Sequence, residues 1–194
     1  MILALFDFDG TITTKDSLMR FIRYAVGDIK TGLGILFLSP MLIAYKLKLI
    51  PNYKAKQWMF SYFFKGMEKQ KFQKIAQEFS LTHLDTFLRL EAMEKISWHK
   101  KQGHTIIVVS ASIENWLKPW CDRNHLGLIA TKIQIENGKI SGKFLSKNCY
   151  GVEKANRVKE IHDIESYNYI YVYGDSRGDR ELLDLADSKN YRAF

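Results

Sequence analysis

The chain has 194 residues, of which 46% are hydrophobic and 26% are charged, and its net charge is +8. This length suits one domain, or a core with a modest insertion, and the composition excludes a disordered chain. The two cysteines, Cys121 and Cys149, are too few for a disulfide framework and lack metal-ligand spacing. The first residues do not match a secretory signal, so we expect a cytoplasmic protein.

The positive charge is confined to one segment. Residues 15–90 contain thirteen Lys and Arg against five Asp and Glu, whereas the rest of the chain has sixteen of each. A basic segment with interleaved aromatic residues is one signature of nucleic-acid binding. An uncharged apolar run in its middle argues against that function, and we expect no nucleic-acid partner.

The first predicted element is a buried strand, Ile2 to Phe6, which ends at Asp7-Phe8-Asp9-Gly10-Thr11. Two carboxylates placed two residues apart at a strand end can face one pocket. One carboxylate can attack phosphorus, and the second can protonate the leaving group. The alternative is a solvated turn in which Thr11 caps a helix.

The residues between this loop and Thr105 show helical periodicity without alternating strands. They predict a helical cap over residues 15–89, inserted into a core formed by residues 1–14 and 90–194. Within the cap, residues 32–45 are uncharged and mostly apolar, are interrupted at Ser39-Pro40, and are flanked by lysines. We expect this stretch to be too short and too interrupted to cross a bilayer alone.

Two interpretations of the apolar stretch remain open. It can lie in the interface of an anionic membrane, held by apolar burial and by about 1 kcal/mol per nearby basic residue. It can equally form the core of the cap, with its lysines as a solvated rim.

The chain beyond the cap predicts a second buried strand, Thr105 to Ser110, followed by Ala111 and Ser112. The serine hydroxyl groups and the backbone amides of Ser110-Ala111-Ser112 could bind a phosphoryl oxygen. Serine after a strand is, however, also common where a helix begins. Residues 132–142 predict a hairpin that flanks the sheet, with a type I′ turn at Asn137-Gly138. Helices are predicted over residues 90–102, 113–124, 153–163 and 179–186.

The last predicted strand, Tyr169 to Gly174, leads into Gly174-Asp175-Ser176-Arg177-Gly178-Asp179. This motif supplies a second carboxylate pair, although Asp179 alone could be only a helix cap. Lys154, at the start of a helix, could neutralise a phosphate or could be solvated. Three buried strands with polar carboxyl ends predict a doubly wound, Rossmann-like α/β sheet with its site at those ends.

The order of these motifs resembles that of the haloacid dehalogenase-like phosphatases across the whole chain. The resemblance implies that Asp7 is the nucleophile and a Mg²⁺ ligand, and that Asp9 is a general acid/base that binds Mg²⁺ through its backbone carbonyl. It also implies Asp175 as a ligand and Asp179 as support for the metal or its waters. Phosphate-binding roles fall to Thr11, Ser110, Ala111 and Lys154.

The sequence specifies the substrate less closely than it specifies the reaction. The position of the cap resembles that in the phosphoserine phosphatase subfamily, and residues 16–24 with the apolar stretch resemble a branch that includes bacterial phosphatidylglycerophosphatase C. We therefore expect a membrane lipid phosphate such as phosphatidylglycerophosphate, turned over at the cytoplasmic face of the membrane. The alternatives are a small soluble ester such as phosphoserine, or an inactive membrane-binding module. The oligomeric state stays open, and the candidate substrate-binding residues are Asp16, Arg20, Arg23 and Arg177.

Overall fold

The computed structural model describes residues 1–194 and contains a five-stranded parallel sheet with helices on both faces. The order of strands in the sheet is β3-β2-β1-β6-β7, and a separate antiparallel pair is formed by β4 and β5. The predicted α/β core is confirmed. The strands are β1 (Ile2–Phe6), β2 (Thr105–Ile113), β3 (Gly127–Thr131), β4 (Ile133–Glu136), β5 (Lys139–Phe144), β6 (Tyr169–Gly174) and β7 (Ser188–Tyr191).

Eight α-helices accompany the strands. Three of the four helices predicted beyond the cap form nearly as expected, but the fourth is reduced to a 3-10 turn, Arg177–Asp179, and a single turn of α-helix. Ser176 and Asp179 cap that turn reciprocally, which ties up the residues that would have begun a longer helix. The helices are α1 (Ser17–Val26), α2 (Asp28–Lys46), α3 (Asn52–Phe64), α4 (Lys69–Thr82), α5 (Leu90–Lys101), α6 (Glu114–Arg123), α7 (Val152–Ile161) and α8 (Arg180–Leu183).

Strand β1 lies in the centre of the sheet, paired in parallel with β2 and β6. Its side chains alternate between two buried clusters: Leu3 and Leu5 lie in one with residues of α7 and α8, while Ala4 and Phe6 lie in the other. Burial on both faces explains why the strand is a continuous apolar run. Because the strands are parallel, the polar residues that follow β1, β2 and β6 emerge at one edge of the sheet.

Helices α1 to α4 are inserted between β1 and β2, where the sequence predicts a cap. The cap shares one hydrophobic cluster with a face of the sheet. In that cluster Phe21 of α1 stacks on Trp116 of α6, with ring centroids 4.5 Å apart. The Ser80 hydroxyl of α4 accepts a hydrogen bond from the Trp120 backbone N–H at 2.9 Å. These contacts hold the inner side of the cap firmly against the core.

The predicted hairpin is present as a separate antiparallel pair, β4 and β5, which begins directly after the edge strand β3. It pairs with the cap: the Gly66 N–H donates to the Ile140 carbonyl, and the Ile140 N–H donates to the Met67 carbonyl, both at 2.8 Å. The predicted turn is present, since Asn137 and Gly138 both have positive φ. The loop that leaves α3 supplies unpaired backbone groups to the hairpin edge, and this pairing fixes its position.

The apolar stretch of the cap lies within one continuous helix, α2, although the sequence predicts an interruption at Ser39-Pro40. Pro40 removes one backbone donor but lies inside the helix, which runs for 19 residues. By length and composition alone, the whole of α2 could cross a membrane, and the expectation that the shorter apolar stretch does not cross a bilayer alone stays a prediction. Of the 19 residues of α2, only Thr31 and Gly34 are buried. Gly34 is buried because it packs closely on Tyr62 and Phe63 of α3.

A polar network lies beneath the sheet face covered by α5. The buried His99 ring approaches the Tyr173 hydroxyl through Nε2 at 3.0 Å and the His104 ring through Nδ1 at 2.7 Å. Burial, together with the nearby charges of His104 and Lys95, lowers the pKa of His99 to about 4. His99 is therefore neutral in the folded protein at pH 7.

We expect the stability of the protein to decrease as the pH falls below 6.5 because of His99. Unfolded histidine has a pKa of about 6.5, so between pH 6.5 and 4 the unfolded chain binds more protons at this position than the folded chain. From pH 7 to pH 5 the wild type should lose roughly 1–2 kcal/mol more unfolding free energy than His99→Gln, measured by urea denaturation. The exposed histidine variant His125→Gln should follow the wild type. A His99→Gln variant that also follows it would contradict this assignment.

Candidate active site

Asp7 lies at the carboxyl end of β1 and is held in place by its neighbours on three sides. Its backbone N–H donates to the Tyr173 carbonyl of β6 at 2.9 Å. Its buried carboxylate accepts a hydrogen bond from Lys154 on one oxygen, and the Thr11 hydroxyl lies 3.3 Å from the other. The carboxylate therefore has a fixed orientation at the edge of the sheet, where the prediction placed it.

Lys154, in the first turn of α7, is buried between two carboxylates. It forms ion pairs with Asp7 and with Asp179, the latter at 2.6 Å. Burial alone would lower the pKa of Lys154, but the two carboxylates raise it above its usual value, so the ammonium stays charged. The hypothesis that Lys154 is an ordinary solvated lysine is excluded.

The same environment perturbs the two carboxylates in opposite directions. Burial raises the pKa of Asp7 to about 7, although Lys154 opposes that shift. Burial would also raise the pKa of Asp179, but Lys154 and hydrogen bonds from Ser176 lower it overall. Asp179 is thus the carboxylate that the protein itself stabilises in the charged form, whereas Asp7 is stabilised much less.

Asp175 completes a group of three carboxylates. Oxygens of Asp7, Asp175 and Asp179 lie within 4.8 Å of one another. The Asp175 carboxylate lies against Gly10, where an added Cβ would come within 2.5 Å of an oxygen; Gly10 also has a φ of +92°, so no other residue fits. An all-oxygen donor set of this size suits a hard divalent cation such as Mg²⁺, which commonly retains several waters.

The Asp9 carboxylate is not part of this acidic group but lines the same cavity as Asp7 and Asp179. One oxygen accepts a hydrogen bond from the Ser17 backbone N–H at 2.7 Å, and the other accepts one from the Ser112 hydroxyl. Burial raises the pKa of Asp9, and the nearby Asp16 raises it further. A carboxyl group with a raised pKa beside a fixed carboxylate is the arrangement needed for proton transfer.

These residues open into a cavity of about 280 Å³ at the carboxyl edge of the sheet, between the core and the cap. Ser110 and Ala111, which lie near the carboxyl end of β2, line it from the core side, as the sequence predicts. The cap contributes residues that the sequence did not indicate, since only the fold brings them to the site. The cap residues and neighbouring aromatic residue in the wall are Leu18, Met19, Leu42, Tyr45, Asn52, Ala55, Lys56, Met59 and Tyr150.

Among the four candidate substrate-binding residues, only Asp16 lines this cavity. Its carboxylate also caps α1, accepting a hydrogen bond from the Met19 N–H at 3.1 Å. Arg23 forms an exposed ion pair with Asp28, and Arg20 lies over the Phe87 ring. These two arginines line surface depressions outside the cavity, one of which shares Asp16 and Met19 with it.

Arg177 is the fourth candidate, and it is exposed and does not line the cavity. The glycine that follows it, Gly178, packs on the Tyr150 ring so closely that an added Cβ would lie 2.3 Å from it. This contact places Tyr150, rather than Arg177, at the cavity wall.

Comparison with known proteins identifies the family. The model of the haloacid dehalogenase-like hydrolases matches residues 4–184. Protein CicA of Caulobacter vibrioides is 32% identical over 197 aligned residues, which cover 100% of this chain and 86% of CicA. A probable phosphatase from Mycobacterium tuberculosis is 35% identical over 99 residues, covering 48% of this chain and 33% of that protein.

A solved structure gives the same fold. A phospho-aspartyl intermediate analogue of phosphoserine phosphatase superposes with a TM-score of 0.67 at 19% identity, covering 95% of this chain and 82% of that one. At this identity, the likeness establishes the fold.

We expect Lys154→Met to destabilise the protein strongly, because it leaves two buried carboxylates without their cation. Removing one partner of a buried ion pair costs about 3–5 kcal/mol. Urea denaturation in buffer with EDTA should show this loss. Lys159→Met, an exposed change on the same helix, should alter stability by less than about 0.5 kcal/mol. Similar effects for the two variants would show that Lys154 does not stabilise the folded site.

Proposed function

The chain belongs to the haloacid dehalogenase-like hydrolases and is a phosphatase, and from this premise we propose that it hydrolyses a phosphomonoester through Asp7. The observation that carries the proposal is the fixed, buried Asp7 carboxylate between Lys154 and the acidic group formed with Asp175 and Asp179. We further propose that the substrate is a lipid phosphomonoester presented at a membrane surface.

In the proposed reaction, an oxygen of Asp7 attacks phosphorus and the bond to the leaving alkoxide breaks, which gives an aspartyl phosphate. Asp9 donates a proton to the leaving oxygen as that bond breaks. Asp9 then takes a proton from water, which attacks phosphorus and releases phosphate and the free Asp7 carboxylate. Lys154 stays charged throughout and offsets the negative charge of the phosphoryl group.

Asp7, Asp175 and Asp179 are the residues that would hold Mg²⁺. Bound there, Mg²⁺ supplies positive charge that lets an anionic carboxylate approach an anionic phosphate. Thr11 orients two of these carboxylates, since its hydroxyl lies 3.3 Å from an Asp7 oxygen and 3.2 Å from an Asp175 oxygen. Ser110 and Ala111 line the core side of the same cavity, where a phosphoryl oxygen would meet them.

The exposed apolar surface of α2 supports the proposal that the substrate is a lipid in a membrane. Leu36 and Phe37 are each 71% exposed, and Leu33 and Ile43 are also exposed on the same helix. Lysines lie at both ends of this apolar surface, which favours contact with anionic lipid. The exposed apolar residues of α2, its connection to α3, and α3 itself are Ile29, Leu33, Leu36, Phe37, Ile43, Tyr45, Leu47, Leu49, Tyr53, Trp58 and Tyr62.

The attachment of α2 to the cap favours a helix that lies in the membrane interface over one that spans it. Gly34 packs on α3, and the Phe37 ring stacks on the Tyr62 ring with centroids 5.4 Å apart. Leu42 and Tyr45 line the cavity wall. A spanning orientation would have to break all of these contacts, whereas an interfacial one keeps them and places the cavity beside the lipid.

A small soluble ester such as phosphoserine is the second candidate, favoured by the overall likeness to phosphoserine phosphatase. A zwitterionic amino acid needs both a carboxylate and a cation near the phosphate. Asp16 meets the first need and Lys56 is a cation in the same cavity, whereas Arg20 and Arg23 lie outside it. The apolar wall formed by Leu18, Met19, Leu42, Ala55 and Met59 suits a ligand with apolar atoms better.

We expect Asp7→Asn to abolish hydrolysis of an aryl phosphate, with a loss of at least about 10³-fold, because an amide cannot act as the nucleophile. Wild-type activity should disappear in EDTA and return with Mg²⁺. Steady-state release of the aryl alcohol measures both effects. The exposed-loop variant Asp163→Asn should keep wild-type activity. Turnover retained by Asp7→Asn would disprove the covalent mechanism.

We expect the double variant Leu36→Ser/Phe37→Ser to bind anionic liposomes at least about 10-fold more weakly, because it removes two exposed apolar side chains. Hydrolysis of lipid phosphate should fall with binding, while aryl phosphate hydrolysis persists. Wild-type binding should also weaken in 1 M salt, where the Debye length falls to about 3 Å. Liposome cosedimentation and phosphate release are the measurements.

The matched control for this experiment is Leu90→Ser/Leu145→Ser, which changes two leucines that are equally exposed but lie outside α2. It should bind liposomes like the wild type. A wild type that ignores anionic vesicles at low salt but hydrolyses phosphoserine efficiently would replace the lipid proposal with the soluble alternative.

A further inference from the structure

A chain of buried hydrogen bonds ends on the Asp9 carboxylate. The Ser112 hydroxyl donates to one Asp9 oxygen, and the Ser17 hydroxyl lies 2.9 Å from that of Ser112. The indole N–H of Trp116 donates to the Ser17 hydroxyl at 3.2 Å. All three partners are almost completely excluded from solvent, so water does not compete for these bonds. The chain therefore extends from α6 of the core, through the first residue of α1, to the cavity.

The order of donors in this chain is fixed by its two ends. An indole N–H can only donate, so the Ser17 oxygen accepts from Trp116. An ionised carboxylate can only accept, so the single hydroxyl hydrogen of Ser112 goes to Asp9. Ser17 must then donate to Ser112, because no other hydrogen is available for that contact. Two hydroxyl groups that could point either way are thus held in one direction by Trp116.

The other oxygen of Asp9 is fixed independently. It accepts the Ser17 backbone N–H at 2.7 Å, one of the N–H groups that the first turn of α1 leaves without a helical partner. Each carboxyl oxygen keeps a second lone pair, so a proton can occupy one of them without displacing either donor. The carboxyl group is therefore held in one orientation both before and after it gives up a proton.

Ser112 also orients the neighbouring serine through its backbone. Its N–H donates to the Ser110 hydroxyl oxygen at 3.0 Å, which leaves the Ser110 hydroxyl hydrogen free for an oxygen in the cavity. Ser110 lines the cavity, whereas Ser112 does not. The Ser110-Ala111-Ser112 segment therefore has one hydroxyl that faces the place of the substrate and one that faces Asp9, although the sequence indicated the same role for both.

We propose that Ser112, Ser17 and Trp116 are positioning residues that hold the Asp9 carboxyl group for proton transfer to the leaving oxygen of the substrate. This inference rests on the proposed function, in which the bond between phosphorus and that oxygen breaks as the proton moves from Asp9 to the oxygen. None of the three residues lines the cavity, so they act only through Asp9.

The test compares two phosphate esters of similar size, benzyl phosphate and p-nitrophenyl phosphate. The benzyl alkoxide needs a proton as its bond to phosphorus breaks, whereas nitrophenolate needs little protonation. For Ser112→Ala we expect kcat/KM to fall about 10- to 100-fold on benzyl phosphate, as for a lost hydrogen bond to a charged group, and about 3-fold or less on p-nitrophenyl phosphate. We choose kcat/KM because it includes release of the leaving group but not the later hydrolysis of the aspartyl phosphate.

Further variants separate positioning from structural support. Ser17→Ala should show the same selective loss to a smaller degree, because it breaks the chain but keeps the backbone N–H that binds Asp9. Ser112→Thr, which keeps a hydroxyl, should retain most of the wild-type ratio between the two esters. Inorganic phosphate should inhibit every variant with the Ki of the wild type, because the chain does not hold the phosphoryl group.

Ser80→Ala is the matched control. Ser80 is an equally buried serine, and its hydroxyl accepts a hydrogen bond from the Trp120 backbone away from the cavity. This variant loses a buried hydrogen bond like Ser112→Ala, but it should leave the ratio between the two esters unchanged.

Two results would overturn the inference. One is an equal loss on both esters in either folded alanine variant of the chain, which would make these hydrogen bonds purely structural. The other is a wild-type kcat/KM on benzyl phosphate in Ser112→Ala. Failure of the proposed function looks different, because the wild type with Mg²⁺ would then hydrolyse neither ester.

Discussion

The buried contact of Lys154 with Asp7 and Asp179 is the interaction on which the rest of the site depends. It brings the end of β1, the first turn of α7 and the turn after β6 to one point. Three carboxylates, with Asp175, face a single ammonium group, which leaves two negative charges if all are ionised. A divalent cation would balance that excess, which the single ammonium group of Lys154 does not.

The close grouping of these carboxylates also explains why glycines lie in the backbone around the site. Gly10 lets the first loop pass against the Asp175 carboxylate, and an added Cβ at Gly174 would lie 2.6 Å from Asp179 Cβ. Both glycines keep the two acidic loops close enough to share one cation. The parallel pairing of β1 with β6 sets the distance between those loops, so the register of the sheet is itself part of the active site.

The core and its acidic residues could be predicted because they are encoded locally. A buried apolar run followed by Asp7-Phe8-Asp9 or Gly174-Asp175 indicates both a strand and the loop at its end. Strands β3 and β7 are not followed by such a motif and were not predicted. Strand β7 is also short and polar, as an edge strand can be. The position of the hairpin, the continuity of α2 and the separation of Arg20 and Arg23 from the cavity depend on tertiary contacts. For the same reason, no pattern in the sequence distinguished Lys56 from the other lysines of the cap.

The cap lines the cavity that would hold the substrate and also carries the exposed apolar surface of α2. Two contacts of α3 hold these parts in place, one with the hairpin and one with α2. Helix α3, which carries Lys56, lies against the hairpin, where an added Cβ at Gly142 would come within 2.5 Å of the Ser61 hydroxyl. This close fit fixes α3, whose residues Ala55, Lys56 and Met59 line the cavity, against the hairpin. Helix α2 packs on the other side of α3 and leaves most of its apolar surface exposed. Because Leu42 and Tyr45 of α2 line the cavity, a surface that binds the exposed side of α2 would approach the cavity while the contacts of α3 with the hairpin stay intact.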